Sequence, residues 1–301
     1  MANDATAASL GKAAPSHERK RKFKKSLKQY PMLYIGGSIV LIVALSAILA
    51  PWISPHDPTE IFYGALNNQG VPAGPSAKFP LGADSIGRDV LSRVLWGGRI
   101  SLLIGLVAMI INMVVGVVLG LIAGAFGGWI DALVMRITDM VLAFPFLLFA
   151  LALVAILGAS LWNILFAIGV LGWGVMARVV RGQVLQVREL EYVHAARALG
   201  ASEWRIMFRI ILPNVFGPVI VLSTLNVGSN ILTAAGLSFL GLGIKPPTPD
   251  WGGMIQEGLT TYAYAPYEMY SAGIALVITV VGFNLLGDGL RDILDPHSAT
   301  R

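Results

Sequence analysis

The segment Glu191-Tyr192-Val193-His194-Ala195-Ala196-Arg197-Ala198-Leu199-Gly200, continuing to Pro213-Asn214, has the residue types for recognition rather than catalysis. Ala195, Ala196 and Leu199 fall on one helical face. Small residues there let another surface come close to the backbone, while Arg197 and its fellow arginines stay in water. The pattern predicts two short amphipathic helices hinged at Gly200 and stopped by Pro213. A plain connecting loop would be shorter and need no apolar face. Two readings fit the residues: a docking face for another protein, and an amphipathic helix lying on a membrane surface.

A second constellation is polar and sits in an apolar run. Ser223, Asn226, Asn230 and Thr233 share about one quarter of a helix circumference. Polar groups in hydrocarbon are costly, so this stripe is expected to face protein or water. Hydrogen bonding between helices and lining of a pathway both satisfy it. If it lines a path, uncharged donors and acceptors suit a peptide backbone without selecting strongly by side chain. Catalytic sets are missing. The chain has no cysteine, and His17, His56, His194 and His297 show no metal-ligand spacing. It contains no G-x4-G-K-[ST] phosphate cradle, no H-E-x-x-H and no G-x-S-x-G.

The elements that must position these residues are membrane spans. Of the 301 residues 55% are apolar and only 13% charged, with a mean hydropathy of +0.71. A water-covered surface needs about 25% charged residues. Runs of about 20 apolar residues cross a bilayer as helices, and six are expected, over 32–53, 100–123, 140–157, 161–177, 216–240 and 270–286. Pro145 is a candidate kink in the third. Gly116, Gly120, Gly124 and Gly128 repeat every fourth residue, which favours close helix packing over pore lining. A signal peptide in place of the first span is disfavoured by the long preceding tail and the length of the apolar run.

Between the spans, residues 54–99 form an external segment with a short helix near Arg88–Trp96. Residues 241–268 form a second one, stiffened by clustered prolines. With the N-terminus placed inside, 17 of the 22 Lys and Arg are cytoplasmic. Both termini, 1–31 and 291–301, are therefore expected in the cytoplasm. The basic run Arg19–Lys28 reads as an anchor at an anionic inner leaflet rather than a nucleic-acid patch.

The segment 191–213 resembles the EAA loop of ABC-importer permeases, E-A-A-x3-G-x9-I-x-L-P. Ala195-Ala196, Gly200, Ile210 and Leu212-Pro213 stand at its spacings. His194 replaces the usual Glu, and Glu191 is the nearest carboxylate, about one helical turn earlier. Leu81–Arg93, Phe239–Gly243, the Pro246–Gly252 run and Phe283–Asp292 resemble the second permease of dipeptide and oligopeptide importers. Nickel importers and some glutathione importers share these segments.

The resemblance implies an all-α integral membrane protein with six transmembrane helices of the ABC importer permease type and a core over 100–290. It implies a second permease subunit, two ATPase subunits that bind ATP and Mg, and an external solute-binding protein. It makes Glu191, His194, Ala195, Ala196, Arg197, Gly200, Ile210, Leu212 and Pro213 the coupling surface for the ATPase. The chain itself is then no enzyme, binds no cofactor and lies in the inner membrane. Rival readings are a nickel-importer permease and an ion-coupled secondary carrier, although a carrier should show inverted repeats or broken helices with buried charges, and the sequence shows neither.

Overall fold

The computed structural model describes residues 30–294; the basic tail and the last residues of the chain lie outside them. Twelve α-helical elements carry the fold in chain order. They are α1 (Pro31–Ile48), the short α2 (Ala50–Ile53), α3 (Val90–Phe126), α4 (Gly128–Ala143), α5 (Phe146–Leu157), α6 (Leu161–Leu171), α7 (Trp173–Arg188), α8 (Glu191–Ala198), α9 (Glu203–Ile206), α10 (Leu212–Leu237), α11 (Trp251–Gly258) and α12 (Tyr267–Leu294). No strand forms among the described residues. Two isolated antiparallel bridges, Leu66 with Pro72 and Ala83 with Asp89, shape the segment between α2 and α3.

Five helical stretches are long and apolar enough to cross a membrane: 31–48, 90–126, 161–188, 203–242 and 267–294. The sixth expected span is a bent pair. α4 and α5 meet at 86° across Phe144-Pro145. A proline has no N–H to continue the helix, and the residue before it is pushed out of the helical region. Phe144 accordingly adopts an extended conformation. The expected kink is thus a full break.

Three other expectations change. The external helix near Arg88–Trp96 is not separate from the second span: α3 runs unbroken through 37 residues from an Asp89 cap. Asp89 accepts hydrogen bonds from the Ser92 N–H (2.9 Å) and Ser92 Oγ (2.6 Å), so the helix begins where its first donors are satisfied. Pro213 does not stop the second loop helix. A π-helical segment, Met207–Ile211, widens the turn, and the chain continues into α10. The Leu212 N–H reaches the Met207 carbonyl, and Asn214 Nδ2 donates to the Ile210 carbonyl (2.7 Å). Such bulges let a helix carry a proline. In the second external segment a helix, α11, starts immediately after the prolines, capped by Asp250.

α3 is the central rod. A Cβ on Gly116, Gly120 or Gly124 would stand 2.5–2.7 Å from atoms of α7 (Met176, Ala177 and Val184), so only glycine permits that approach. Gly128 has nothing within 4 Å and opens α4 instead. The fourth glycine of the repeat therefore serves the turn, not the packing. α1 lies along α12, where Gly36 faces the backbone of Leu285 and Leu286.

Candidate functional site

α8 and α9 stand at the end of α7 and are held by their own apolar undersides. Val193 is buried with Val187, Ile206, Met207 and Ile211 in one cluster. The opposite face is open: Tyr192, Ala195 and Leu199 are exposed and Leu199 is 88% accessible. Apolar residues at i, i+3 and i+7 thus share one exposed face of α8 and its C-cap.

The turn that ends α8 is closed by backbone alone. Gly200 N–H donates to the Arg197 carbonyl (3.0 Å) and Ala201 N–H to the Ala196 carbonyl (3.1 Å). This is the paired arrangement that terminates a helix on a left-handed residue, and Gly200 has φ +80°. Ser202 then caps α9. Arg197 bridges the turn through two bonds to Glu203, at 2.7 and 3.1 Å. The Glu203 carboxylate holds the Arg197 guanidinium above its ordinary pKa.

His194 is exposed, with Nε2 3.8 Å from a Glu189 carboxylate oxygen. Glu191 is exposed in the first turn of α8, where a carboxylate complements the helix dipole. Ala196 is half-buried. Ile210 and Leu212 pack against the cluster beneath, and Pro213 is exposed. The sequence-expected residues thus divide. Glu191, His194, Ala195, Arg197, Gly200 and Pro213 are on the surface, while Ile210 and Leu212 help fix it from below.

Sequence reasoning missed an aromatic row beside this face. Trp204 stacks on Phe208 (5.9 Å, 7° between planes) and meets Phe126 edge-on at 5.9 Å. Trp204 and Phe208 remain more than half exposed. Their i, i+4 spacing was the available signal. Arg188 ties the site to the rod, its Nη1 donating to the Gly124 carbonyl (2.9 Å) at the end of α3.

The polar stripe of α10 does not act as one surface. Ser223 and Asn230 are buried, while Asn226 and Thr233 are partly exposed. Asn230 lies against α3, 3.5 Å from both Asn112 Nδ2 and the Gly105 carbonyl. Thr233 Oγ1 donates to the Ser229 carbonyl within its own helix (2.9 Å). Asn112 was not singled out from sequence. Its amide satisfies more partners with the nitrogen turned away from Asn230 and toward the α6–α7 junction, where it donates to the Gly169 carbonyl at 2.7 Å and the Ile168 carbonyl at 3.2 Å. It satisfies backbone groups where the helix breaks at Gly172.

On the opposite side, Asp84, Arg88, Arg93 and Glu257 form a buried ion-pair cluster. Arg88 Nε donates to Asp84 Oδ2, and Arg88 Nη2 and Arg93 Nη2 each donate to Glu257 Oε2 at 2.7 Å. Trp251 Nε1 donates to the Val94 carbonyl (2.9 Å), fastening α11 to α3.

Comparison with known proteins agrees with this arrangement. Residues 116–299 match the profile of the binding-protein-dependent transport system inner membrane component family. Residues 21–70 match that of the N-terminal transmembrane domain of oligopeptide transport permease C. The chain is 42% identical over 283 residues to the glutathione transport system permease protein GsiD of Escherichia coli O6:K15:H31, covering 94% of this chain and 90% of that protein. It is 42% identical over 275 residues to the protein of the same name from Pectobacterium atrosepticum, covering 91% and 89%. An inward-facing structure of the MetNI methionine ABC transporter superposes with a TM-score of 0.55 at 19% identity. The match covers 67% of this chain and 96% of that one, and it is a likeness of fold.

Proposed function

The chain belongs to the binding-protein-dependent transport system inner membrane component family, and from that premise we propose that it forms half of the translocation channel of an ABC importer for short peptides. The relatives of similar length are named as glutathione transport permeases, and glutathione is itself a short peptide. The channel is completed by a second permease. Two ATPase subunits that bind ATP and Mg drive it, and an external solute-binding protein delivers the peptide. Both termini are cytoplasmic.

The observation that carries this reading is the α8 face. Tyr192, Ala195 and Leu199 are presented outward on a helix whose end is fixed by the Gly200 turn and by Arg197–Glu203. A helix lying on a bilayer would gain nothing from so rigid a hinge. A helix that transmits motion from a partner requires it. In this reading Ala195 and Ala196 admit the ATPase surface, Leu199 fills a pocket on it, and closure of the ATPases moves α8, α7 and, through Arg188, the end of α3.

The test is co-purification and transport. Leu199→Asp should leave the chain in the membrane with its partner permease, yet release the ATPase subunits and abolish ATP-driven uptake of labelled glutathione or dipeptides in proteoliposomes. Retention of the ATPases by that variant would remove α8 from the interface. Uptake of nickel without peptide would transfer the substrate to the metal-importing branch of the same architecture.

A further inference from the structure

The external ion-pair cluster is one positive charge short. Asp84, Glu257 and Glu268 bring three carboxylates, and Arg88 and Arg93 bring two guanidiniums. Asp84 Oδ1 accepts the backbone N–H groups of Ile86 (3.0 Å) and Arg88 (2.8 Å), and its Oδ2 takes Arg88 Nε, with Arg93 Nε at 3.4 Å. Glu257 Oε2 takes both arginines at 2.7 Å. Glu268, in the first turn of α12, takes neither. Its residue is 1% exposed, and both of its oxygens are buried without a hydrogen-bond partner. Arg93, also 1% exposed, leaves Nε and Nη1 without a hydrogen-bond acceptor, so no hydrogen bond joins it to Glu268. A buried ionised carboxylate with no hydrogen-bond donor is strongly disfavoured.

The geometry shows what could fill the gap. One oxygen from each of Asp84, Glu257 and Glu268 lies within 4.8 Å of the other two. A calcium-sized cation binds oxygens at about 2.3–2.6 Å, so ligands on its opposite sides stand roughly that far apart. A carboxylate has about four lone-pair positions; Asp84 fills three with its bonds from Ile86 N–H, Arg88 N–H and Arg88 Nε, and Glu257 takes both arginines on Oε2 alone, so each keeps a position for a cation. The three carboxylates come from three places in the chain: the external segment, α11 and α12.

We propose that a calcium-sized, oxygen-seeking cation, Ca2+ or Na+, is bound between the carboxylates of Asp84, Glu257 and Glu268 and clamps the external segment to α11 and α12. Na+ brings the cluster to neutrality, and Ca2+ leaves one positive charge shared with two arginines. The ion is resident rather than cargo, because Asp84, Arg88, Arg93 and Glu268 are nearly inaccessible and only Glu257, with a side chain 22% exposed, opens to the outside. Nothing in the proposal depends on how the cytoplasmic face works.

The experiment uses the assembled transporter, stripped with chelator and exchanged into choline chloride. Thermal unfolding is followed while CaCl2, NaCl or MgCl2 is titrated at constant ionic strength. The wild type should show a saturable rise in Tm with CaCl2 or with NaCl, and a smaller one with MgCl2, which demands shorter bonds. Glu268→Gln and Glu268→Leu should lose the response while matching or exceeding the ion-free Tm of the wild type. If Ca2+ is the ion, Tb3+ should bind in its place with emission excited through neighbouring Tyr267, and Glu268→Gln should abolish it. A wild-type Tm indifferent to all three salts would overturn the proposal. So would an equal response in the Glu268 variants, or a Tm that rises on acidification with no ion effect, since Glu268 would then carry a proton.

Discussion

At Gly200 no atom lies within 4 Å of the place a Cβ would occupy, while φ is +80°. The constraint on this residue is therefore its backbone conformation. Residues with a Cβ lose about 1–2 kcal/mol in that region, and Asn tolerates it best. Gly200→Val should cut ATP-driven uptake several-fold with insertion unchanged, and Gly200→Asn should transport nearly as the wild type. Equal uptake by the Val variant would show that the turn is dispensable. The neighbouring ion pair is a contrast. Arg197 and Glu203 side chains are 42% and 44% exposed, and exposed pairs contribute under about 1 kcal/mol. Arg197→Ala should leave the unfolding midpoint within a degree or two. The spacing of Ala195, Ala196 and Gly200 was readable in the sequence because it repeats a short local pattern. That Val193 turns inward while Leu199 stays out was not, since both are aliphatic and only the cluster with Ile206 and Ile211 decides between them.

Among the elements, the junction of α3 with α7 tolerates little change. The glycine repeat predicted a close approach, and three of its four members make one. A Cβ at Gly120 would stand 2.6 Å from the Ala177 carbonyl oxygen, a backbone atom that cannot swing away. Gly120→Leu should destabilise by more than the 1–3 kcal/mol usual for overpacking, seen as lost membrane yield and a lower Tm. Gly182→Leu, at an α7 position with nothing within 4 Å, should be nearly silent. Pro145 announced a break but not its 86° angle, and ion pairs from α7 reach α4 on one side of that break. Arg181 on α7 donates twice to Asp131 (2.5 Å each), and Arg178 donates to Asp139 (2.7 Å). Partners some forty to fifty residues apart leave no periodic trace. Asp131→Asn should speed amide exchange throughout α4 while leaving α3 protected, and unchanged exchange would show that apolar packing alone sets the bend.

For the whole molecule, the absence of cysteine makes topology directly measurable. Gln69→Cys in the external segment should react with a membrane-impermeant maleimide on intact cells, and Leu199→Cys only after permeabilisation. The reverse labelling would invert the orientation inferred from the distribution of Lys and Arg. Hydropathy marked the spans well because apolar length is a property of composition. It missed the unity of α3, because the polar turns before Arg99 read as loop when judged by hydropathy. At 1.5 Å per residue, the 37 residues of α3 make a rod of about 55 Å, nearly twice the hydrocarbon thickness of a bilayer. Arg93 ties its N-terminal end into the carboxylate cluster, and Arg188 holds its C-terminal end at Gly124. A continuous helix cannot shorten without losing backbone hydrogen bonds, so it moves as a unit with the groups bonded to its two ends. A displacement at Gly124 is therefore carried to Arg93 along one helix without a break.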